Sequence, residues 1–178
     1  PVAINKEKFN LSEAENNPLY MPDAEAAKKA SDYLETCMQE QNSAGGMVEC
    51  MITGVPAGIG EPAFEKLNAN LGKAILSIGA VKAFELGDGI AVAQSDGLHN
   101  NDAYCADEAG HITKKTNHSG GITGGISDGC EILFRAAFKP TPSISATQES
   151  VTRTGENLDI SIKGRHDPII VPRAVVVI

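Results

Sequence analysis

Three short stretches carry side chains whose type and spacing could do chemistry. One is Lys163-Gly164-Arg165-His166-Asp167-Pro168, where a cation, a titratable ring and a carboxylate stand in consecutive positions. In an extended chain, side chains two apart point to the same face, which would bring Arg165 and Asp167 together. A neighbouring cation favours an ionised carboxylate. Asp167 could then accept a proton, and Arg165 could hold a planar anion with its fork of N–H groups. The structural alternative is a surface turn initiated by Asp167-Pro168.

A second stretch is Lys139-Pro140-Thr141-Pro142-Ser143. Two prolines fix φ around one lysine and two hydroxyls, a rigid set of donors suited to phosphate. An exposed, kinked link between strands would use the same residues. The third stretch runs over 118–129 and contains Gly120, Gly121, Gly124, Gly125 and Gly129. Without a Cβ the backbone can approach a ligand closely, and successive free N–H groups form an anion nest. A tight turn would need glycines equally. No Gly-Lys-[Ser/Thr] closes the stretch and no G-x-G-x-x-G occurs, which excludes a P-loop and a dinucleotide fingerprint. His99, His111 and His118 show no metal-ligand spacing and read as solvent-facing.

Helices and strands must position these stretches. Asp23 caps a helix in which Ala27, Ala30, Leu34, Cys37 and Met38 recur at helical spacing. Asn42-Ser43-Ala44-Gly45-Gly46 ends it in a turn. Val48, Cys50 and Ile52 alternate with Glu49, Met51 and Thr53 as a strand. Residues 54–62 form a loop, and Pro62 suits the first turn of a second helix, with Phe64, Leu67, Leu71, Ile75, Ile78 and Val81 on one face. Residues 83–92 read as extended with a bulge at Gly87-Asp88-Gly89. Residues 131–138 read as a strand, and 144–151 with 158–162 as the two arms of a hairpin. Residues 1–22 read as an irregular arm and 94–118 as a long loop, of a length that is often functional. The pattern predicts an α+β fold, an antiparallel β-sheet packed against helices, in a single domain over 1–178.

Composition bounds the rest. With 42% hydrophobic residues, 4% aromatic and no Trp, the core must be mostly aliphatic. The net charge of −8 argues against nucleic-acid binding. Residues 1–110 hold 7 Lys+Arg against 17 Asp+Glu, and residues 111–178 hold 8 against 6, so an anionic small molecule suits the second segment better. Cys37, Cys50, Cys105 and Cys130 form no C-x-x-C and read as reduced thiols, with no metal site. No apolar run approaches the roughly 18 residues of a membrane span, and nothing at the start resembles a signal peptide. A cytoplasmic protein is expected. The chain opens on Pro1 and stops on the apolar run Val175-Val176-Val177-Ile178, which reads as a processed or truncated piece.

In order and spacing the motifs resemble the chorismate synthase family. The match begins near Asn17-Pro18-Leu19-Tyr20-Met21-Pro22-Asp23 and runs through Gly54-Val55-Pro56-Ala57-Gly58-Ile59-Gly60-Glu61-Pro62 and Ser77-Ile78-Gly79-Ala80-Val81-Lys82. It continues through Asn117-His118-Ser119-Gly120-Gly121 and Lys139-Pro140-Thr141. It ends in Gly164-Arg165-His166-Asp167-Pro168 with Pro172-Arg173-Ala174-Val175. The resemblance implies part of that family's β-α-β sandwich. It implies an FMN-dependent 1,4-anti elimination of phosphate from 5-enolpyruvylshikimate 3-phosphate, giving chorismate in the shikimate pathway of aromatic amino acid biosynthesis. Reduced FMN is required and not consumed overall. Lys139, Pro140, Thr141, Pro142, Ser143 and Arg165 match flavin-contacting positions, as do Gly124, Gly79 and Ala80. Asp167 matches the catalytic aspartate that acts at the flavin's reactive nitrogen. The implied assembly is a homotetramer, without metal, membrane or nucleic acid.

Departures from the family pattern matter too. The family usually has Asn where Gly79 stands and Asp where Asn42 precedes Ser43. Gly79 inside a helix would weaken it by about 1 kcal/mol relative to Ala. The family is about twice this length, and its Gly-Glu-Ser-His motif, second acid–base histidine and Ser-Gly-Arg stretch are not found in these residues. A carboxyl-terminal portion is expected, inactive alone and binding FMN weakly or not at all. The alternative is a non-catalytic fragment that keeps only the fold or an oligomer surface.

Overall fold

A computed structural model describes residues 2–178. Its helices and antiparallel sheets make an α+β fold. The chain, expected as one domain, divides into two compact units. The first comprises the described residues up to Gly46 together with Lys139–Val177, and the second comprises Met47–Phe138 with Ile178.

The first unit is built on α1 (Ala24–Gln39), capped by Asp23 as the sequence predicts. One oxygen of this buried carboxylate accepts from the N–H groups of Glu25 and Ala26, each at 3.0 Å. The other accepts from the Asn5 N–H at 3.0 Å. The cap therefore also fastens the amino-terminal arm, which carries 3-10 turns at Lys6–Lys8 and Leu11–Asn16. Leu34 and Cys37 enter a small core with Ala44, against which Leu19 and Ile169 pack. A hairpin of β8 (Gln148–Val151) and β9 (Asn157–Ile160) and a short helix α4 (Val171–Ala174) complete the unit.

The second unit centres on a three-stranded sheet in the order β1 (Gly46–Ile52), β7 (Ile132–Phe138), β2 (Val81–Leu86). β2 and β7 run antiparallel, with Phe84 opposite Ala136 and Glu85 opposite Arg135. Burial alternates along β7, and Ile132, Phe134, Ala136 and Phe138 form its buried face. Helix α2 (Leu67–Leu76) lies against β2, and the ring of Phe84 sits against Gly72. The Phe84 and Phe134 rings stand 5.5 Å apart, tilted by 38°.

Several elements differ from the sequence reading. Helix α2 begins at Leu67 rather than at Pro62. The Leu67 N–H donates to the Gly125 carbonyl at 2.8 Å, and Phe64 holds φ at +54°, which breaks any helix through it. Phe64 is left exposed. The extended reading of 83–92 fails beyond Leu86, because Gly87 turns the chain and Gly89–Gln94 is a 3-10 helix. The stretch 94–118 carries α3 (Gly97–Asn100) and a hairpin of β3 (Tyr104–Ala106) and β4 (Ile112–Lys114). Aspartates shape both: Asp96 accepts from the His99 N–H at 3.0 Å, and Asp107 accepts from the N–H groups of Ala109 at 2.9 Å and His111 at 2.8 Å.

Phe134 is 1% exposed, and its ring lies against that of Phe84. Phe134→Ala is expected to destabilise the protein by about 3–5 kcal/mol in urea unfolding. A loss below about 1 kcal/mol would mean that the ring does not anchor this core.

Candidate functional site

The glycine-rich stretch folds into a short hairpin of β5 (Ile122–Thr123) and β6 (Ile126–Ser127). Its two turn residues, Gly124 and Gly125, have φ of +63° and +93°. A two-residue turn with both φ positive matches the twist of the flanking strands and favours glycine at both places. The two glycines meet different surroundings. A Cβ on Gly125 would collide with the Lys66 side chain, whereas nothing lies within 4 Å of where a Cβ on Gly124 would stand. Gly124 therefore presents open backbone.

One flank of the hairpin is pinned through backbone. The Ser127 N–H donates to the Ile59 carbonyl at 2.8 Å, and its hydroxyl accepts from the Ile59 N–H at 2.9 Å while donating to the Pro56 carbonyl at 2.7 Å. The loop 54–62 thus acts as a clamp on β6. The other flank rests on buried charge. Lys114 Nζ donates to Asp128 Oδ2 at 2.5 Å, Ser119 Oγ at 3.1 Å and Thr123 Oγ1 at 3.2 Å. Asp102 Oδ2 lies 3.7 Å from the same nitrogen. Asp102 also accepts from the His118 N–H at 2.7 Å, the Ser119 N–H at 3.0 Å and the Thr116 hydroxyl at 2.7 Å. Asp128 accepts from the Cys130 N–H at 3.1 Å and the Thr123 hydroxyl at 2.9 Å.

Burial opposes charge on all three groups, and the hydrogen bonds outweigh it. The Lys114 pKa is pushed above the ordinary lysine value by the hydrogen bond and charge of Asp128 and the charge of Asp102. Asp128 is held below the ordinary carboxylate value by Lys114, the Cys130 N–H and Thr123. Asp102 is held well below it by the Ser119 N–H, the Thr116 and Ser119 side chains and the His118 N–H.

Histidine placement differs from the expectation in one case. His99 and His111 are exposed, each beside the aspartate that shapes its turn. His118 is partly buried, with Nδ1 2.6 Å from Asp88 Oδ2. Gly79 lies outside α2, which ends at Leu76, so the helix penalty expected from the sequence does not apply. Gly79 is exposed in the turn leading to β2, and Ala80 beside it holds φ at +70°.

In the first unit, Lys139 and Pro140 are exposed, and the Thr141 carbonyl accepts from the Ser43 hydroxyl at 2.7 Å. The Thr141 hydroxyl is buried and has no hydrogen-bond partner among the described residues. A buried hydroxyl left unpartnered costs free energy. The sequence reading of Arg165 as the partner of Asp167 is corrected. Arg173 pairs with Asp167: Nη2 donates to Oδ1 at 3.1 Å, and Nη1 stands 3.0 Å from Oδ2 in an ion pair. Residues 161–170 are irregular, so the two-apart rule for strands does not apply there. Arg165 is exposed and makes no hydrogen bond or ion pair with the described residues.

Thus Gly79, Ala80 and Gly124 belong to the second unit, and Lys139, Pro140, Thr141, Pro142, Ser143, Arg165 and Asp167 to the first. The sequence reading missed Lys114, Asp102, Thr123 and Arg173. A weak signal was present, since Lys114 and Asp128 bracket the glycine-rich stretch with opposite charges. Among the described residues no group of three or more His, Cys, Asp or Glu is placed to hold a metal ion. Among them also, no helix is long and apolar enough to cross a membrane.

The fold is α+β, with a glycine hairpin open at its tip in the second unit and, in the first, a buried threonine hydroxyl without a partner among the described residues. The family model for chorismate synthase matches residues 2–178. The chorismate synthase of Agathobacter rectalis is 60% identical over 178 residues, covering 100% of this chain and 48% of that protein. That of Lachnoclostridium phytofermentans is likewise 60% identical with the same coverage, and that of Gloeothece citriformis is 48% identical over 172 residues. A crystal structure of chorismate synthase superposes with a TM-score of 0.75 at 26% identity, over 97% of this chain and 45% of that one. The chain belongs to the chorismate synthase family. It spans about half the length of the curated relatives it matches.

The pKa directions fix a pH window for the hairpin. Asp102 and Asp128 are lowered on folding, so their stabilisation is complete above the unfolded carboxylate value and lost as pH falls through the folded ones. Lys114 is raised, so its stabilisation is complete below the unfolded lysine value and lost as pH rises through the folded one. The methyl resonances of Thr123 and Ile126 should therefore hold steady from about pH 5 to about pH 10 and shift outside that range. A transition near neutrality would contradict the network.

Proposed function

We propose that this chain carries part of the site of an FMN-dependent chorismate synthase, a lyase acting on 5-enolpyruvylshikimate 3-phosphate. In the reaction a ring C–O bond to phosphate breaks, a ring C–H proton leaves, and a new double bond forms, giving chorismate without net oxidation. The reading rests on family membership together with the Thr141 hydroxyl, which is buried without a partner. That group fits a polar ligand atom at the Lys139-Pro140-Thr141-Pro142-Ser143 segment, where the prolines hold backbone and side chains ready. Reduced FMN, when bound, would supply electron density to the reacting ring.

The chain's own residues do the remaining work in this reading. Lys139 and Arg165 offer charge to anionic groups of cofactor or substrate. Thr141 and Ser143 offer hydroxyls, and Gly79, Ala80 and Gly124 offer backbone that a flat ligand can approach. Asp167 accepts a proton, oriented by its hydrogen bond and ion pair with Arg173. A homotetrameric assembly in the cytoplasm belongs to the same reading.

The chain's span, about half of its relatives' length, favours a second reading for these residues alone: they keep the fold without turning over. Loss of a catalytic acid costs about 10²–10⁴-fold. No phosphate should therefore be released from 5-enolpyruvylshikimate 3-phosphate by these residues with reduced FMN. Release at a rate close to that of a full-length relative would refute this second reading.

FMN affinity should be weak on these residues alone. Fluorescence quenching at high protein concentration should be lost in Lys139→Ala and in Arg165→Ala. Tight binding unaffected by both substitutions would remove the site assignment.

A further inference from the structure

A lysine beside a glycine-rich hairpin invites the reading that its ammonium binds a ligand phosphate. The hydrogen-bond count at Lys114 decides against this. An ammonium has three donors. All three are engaged within the protein, by Asp128, Ser119 and Thr123. Asp102 adds a second carboxylate at 3.7 Å, so the cluster of one ammonium and two carboxylates carries a net negative charge. The Lys114 side chain is only 4% exposed. No donor remains for a phosphate, and the local charge repels one.

The bonds instead run to the hairpin. Thr123 immediately precedes Gly124, and its hydroxyl sits between Lys114 and Asp128. On the far side of the turn, the Gly125 carbonyl is held by the Leu67 N–H. Gly124 lies between these two anchors, open on its outer side.

We propose that Lys114 is a positioning residue, which holds Thr123 so that the hairpin presents Gly124 to an uncharged part of the ligand rather than to its phosphate. This rests on the flavin reading above. The hairpin is set in shape before any ligand arrives, and its glycine meets a neutral surface such as a ring or a carbon chain.

The test uses Lys114→Met, which keeps the length of the side chain and removes the ammonium. Its probes are FMN and riboflavin, which lacks the phosphate. The substitution should weaken both by the same factor, on the order of tenfold for loss of charged hydrogen bonds. Weakening of FMN alone would place the ammonium on the phosphate and overturn the proposal. No weakening of either would also overturn it.

Hydrogen exchange without ligand gives a second, independent reading. Amides over 123–127 should exchange on the order of ten times faster in Lys114→Met, while those of β7 hold their protection. Unchanged exchange would overturn the positioning role. If Lys114→Met fails to fold, Thr123→Val removes the hydroxyl at an exposed position and should loosen the same amides by a smaller factor. Unchanged exchange there would count equally against the proposal. If these residues alone bind neither flavin, exchange decides the positioning by itself.

Discussion

The alternation along β7 constrains the second unit more than any other feature. Ile132, Phe134, Ala136 and Phe138 face the buried side, and Leu133, Arg135 and Ala137 the other. A slip of one residue would exchange the two sets. It would drive Arg135 into the apolar layer and break its bonds to Glu49 at 2.8 Å and to the Gly87 carbonyl at 3.0 Å. Register is therefore fixed by apolar side chains on one face and by charge on the other. The backbone of Leu133 passes that register on. Its carbonyl accepts from the Gly87 N–H at 2.8 Å, and its N–H donates to the Gly120 carbonyl at 3.3 Å. The turn after β2 and the start of the glycine-rich stretch both hang from this residue.

Glycine-rich backbone brings no side chains with which to hold itself, and it loses much conformational freedom on ordering. Its shape must be imposed from outside. Here the loop 54–62 and the first residue of α2 grip one flank through main-chain groups, while Lys114 and two aspartates grip the other. Buried ion pairs contribute little net stability compared with an apolar core, because desolvation opposes the attraction. They do fix direction, since each bond needs a particular geometry. The network is better understood as specifying the hairpin than as stabilising the unit.

Much of the scaffold was legible in the sequence. Asp23 followed by Ala27, Leu34 and Cys37 gave a helix that the structure places at Ala24–Gln39. The strand at 131–138 follows from alternation, and so does the hairpin read at 144–151 and 158–162, whose arms the structure shortens to Gln148–Val151 and Asn157–Ile160. The start of α2 was not legible, because the carbonyl that takes the Leu67 N–H lies 58 positions away at Gly125. Nor was the burial of Lys114 and Asp102. Periodicity reports which residues avoid water on average, and a charged residue inside a polar stretch looks solvated whether or not a partner encloses it. The candidate motifs could be read from the sequence, but the partners of their side chains could not. Arg165 and Asp167 are two apart in sequence, yet the arginine that reaches Asp167 is Arg173. Motif spacing does not encode the path of an irregular segment.

The open turn at Gly124 has a stereochemical consequence. Its φ of +63° is where left-handed backbone lies, a region natural L-residues avoid and their mirror images prefer. Since nothing stands within 4 Å of an L-residue's Cβ at this position, backbone handedness rather than space is what disfavours an L side chain there. A D-alanine introduced there by chemical ligation would match the left-handed φ of the turn. At Gly125 an L side chain would meet a second obstacle, because the Lys66 side chain stands where its Cβ would go. Two adjacent glycines thus differ in kind: backbone handedness alone calls for the first, and handedness together with crowding calls for the second.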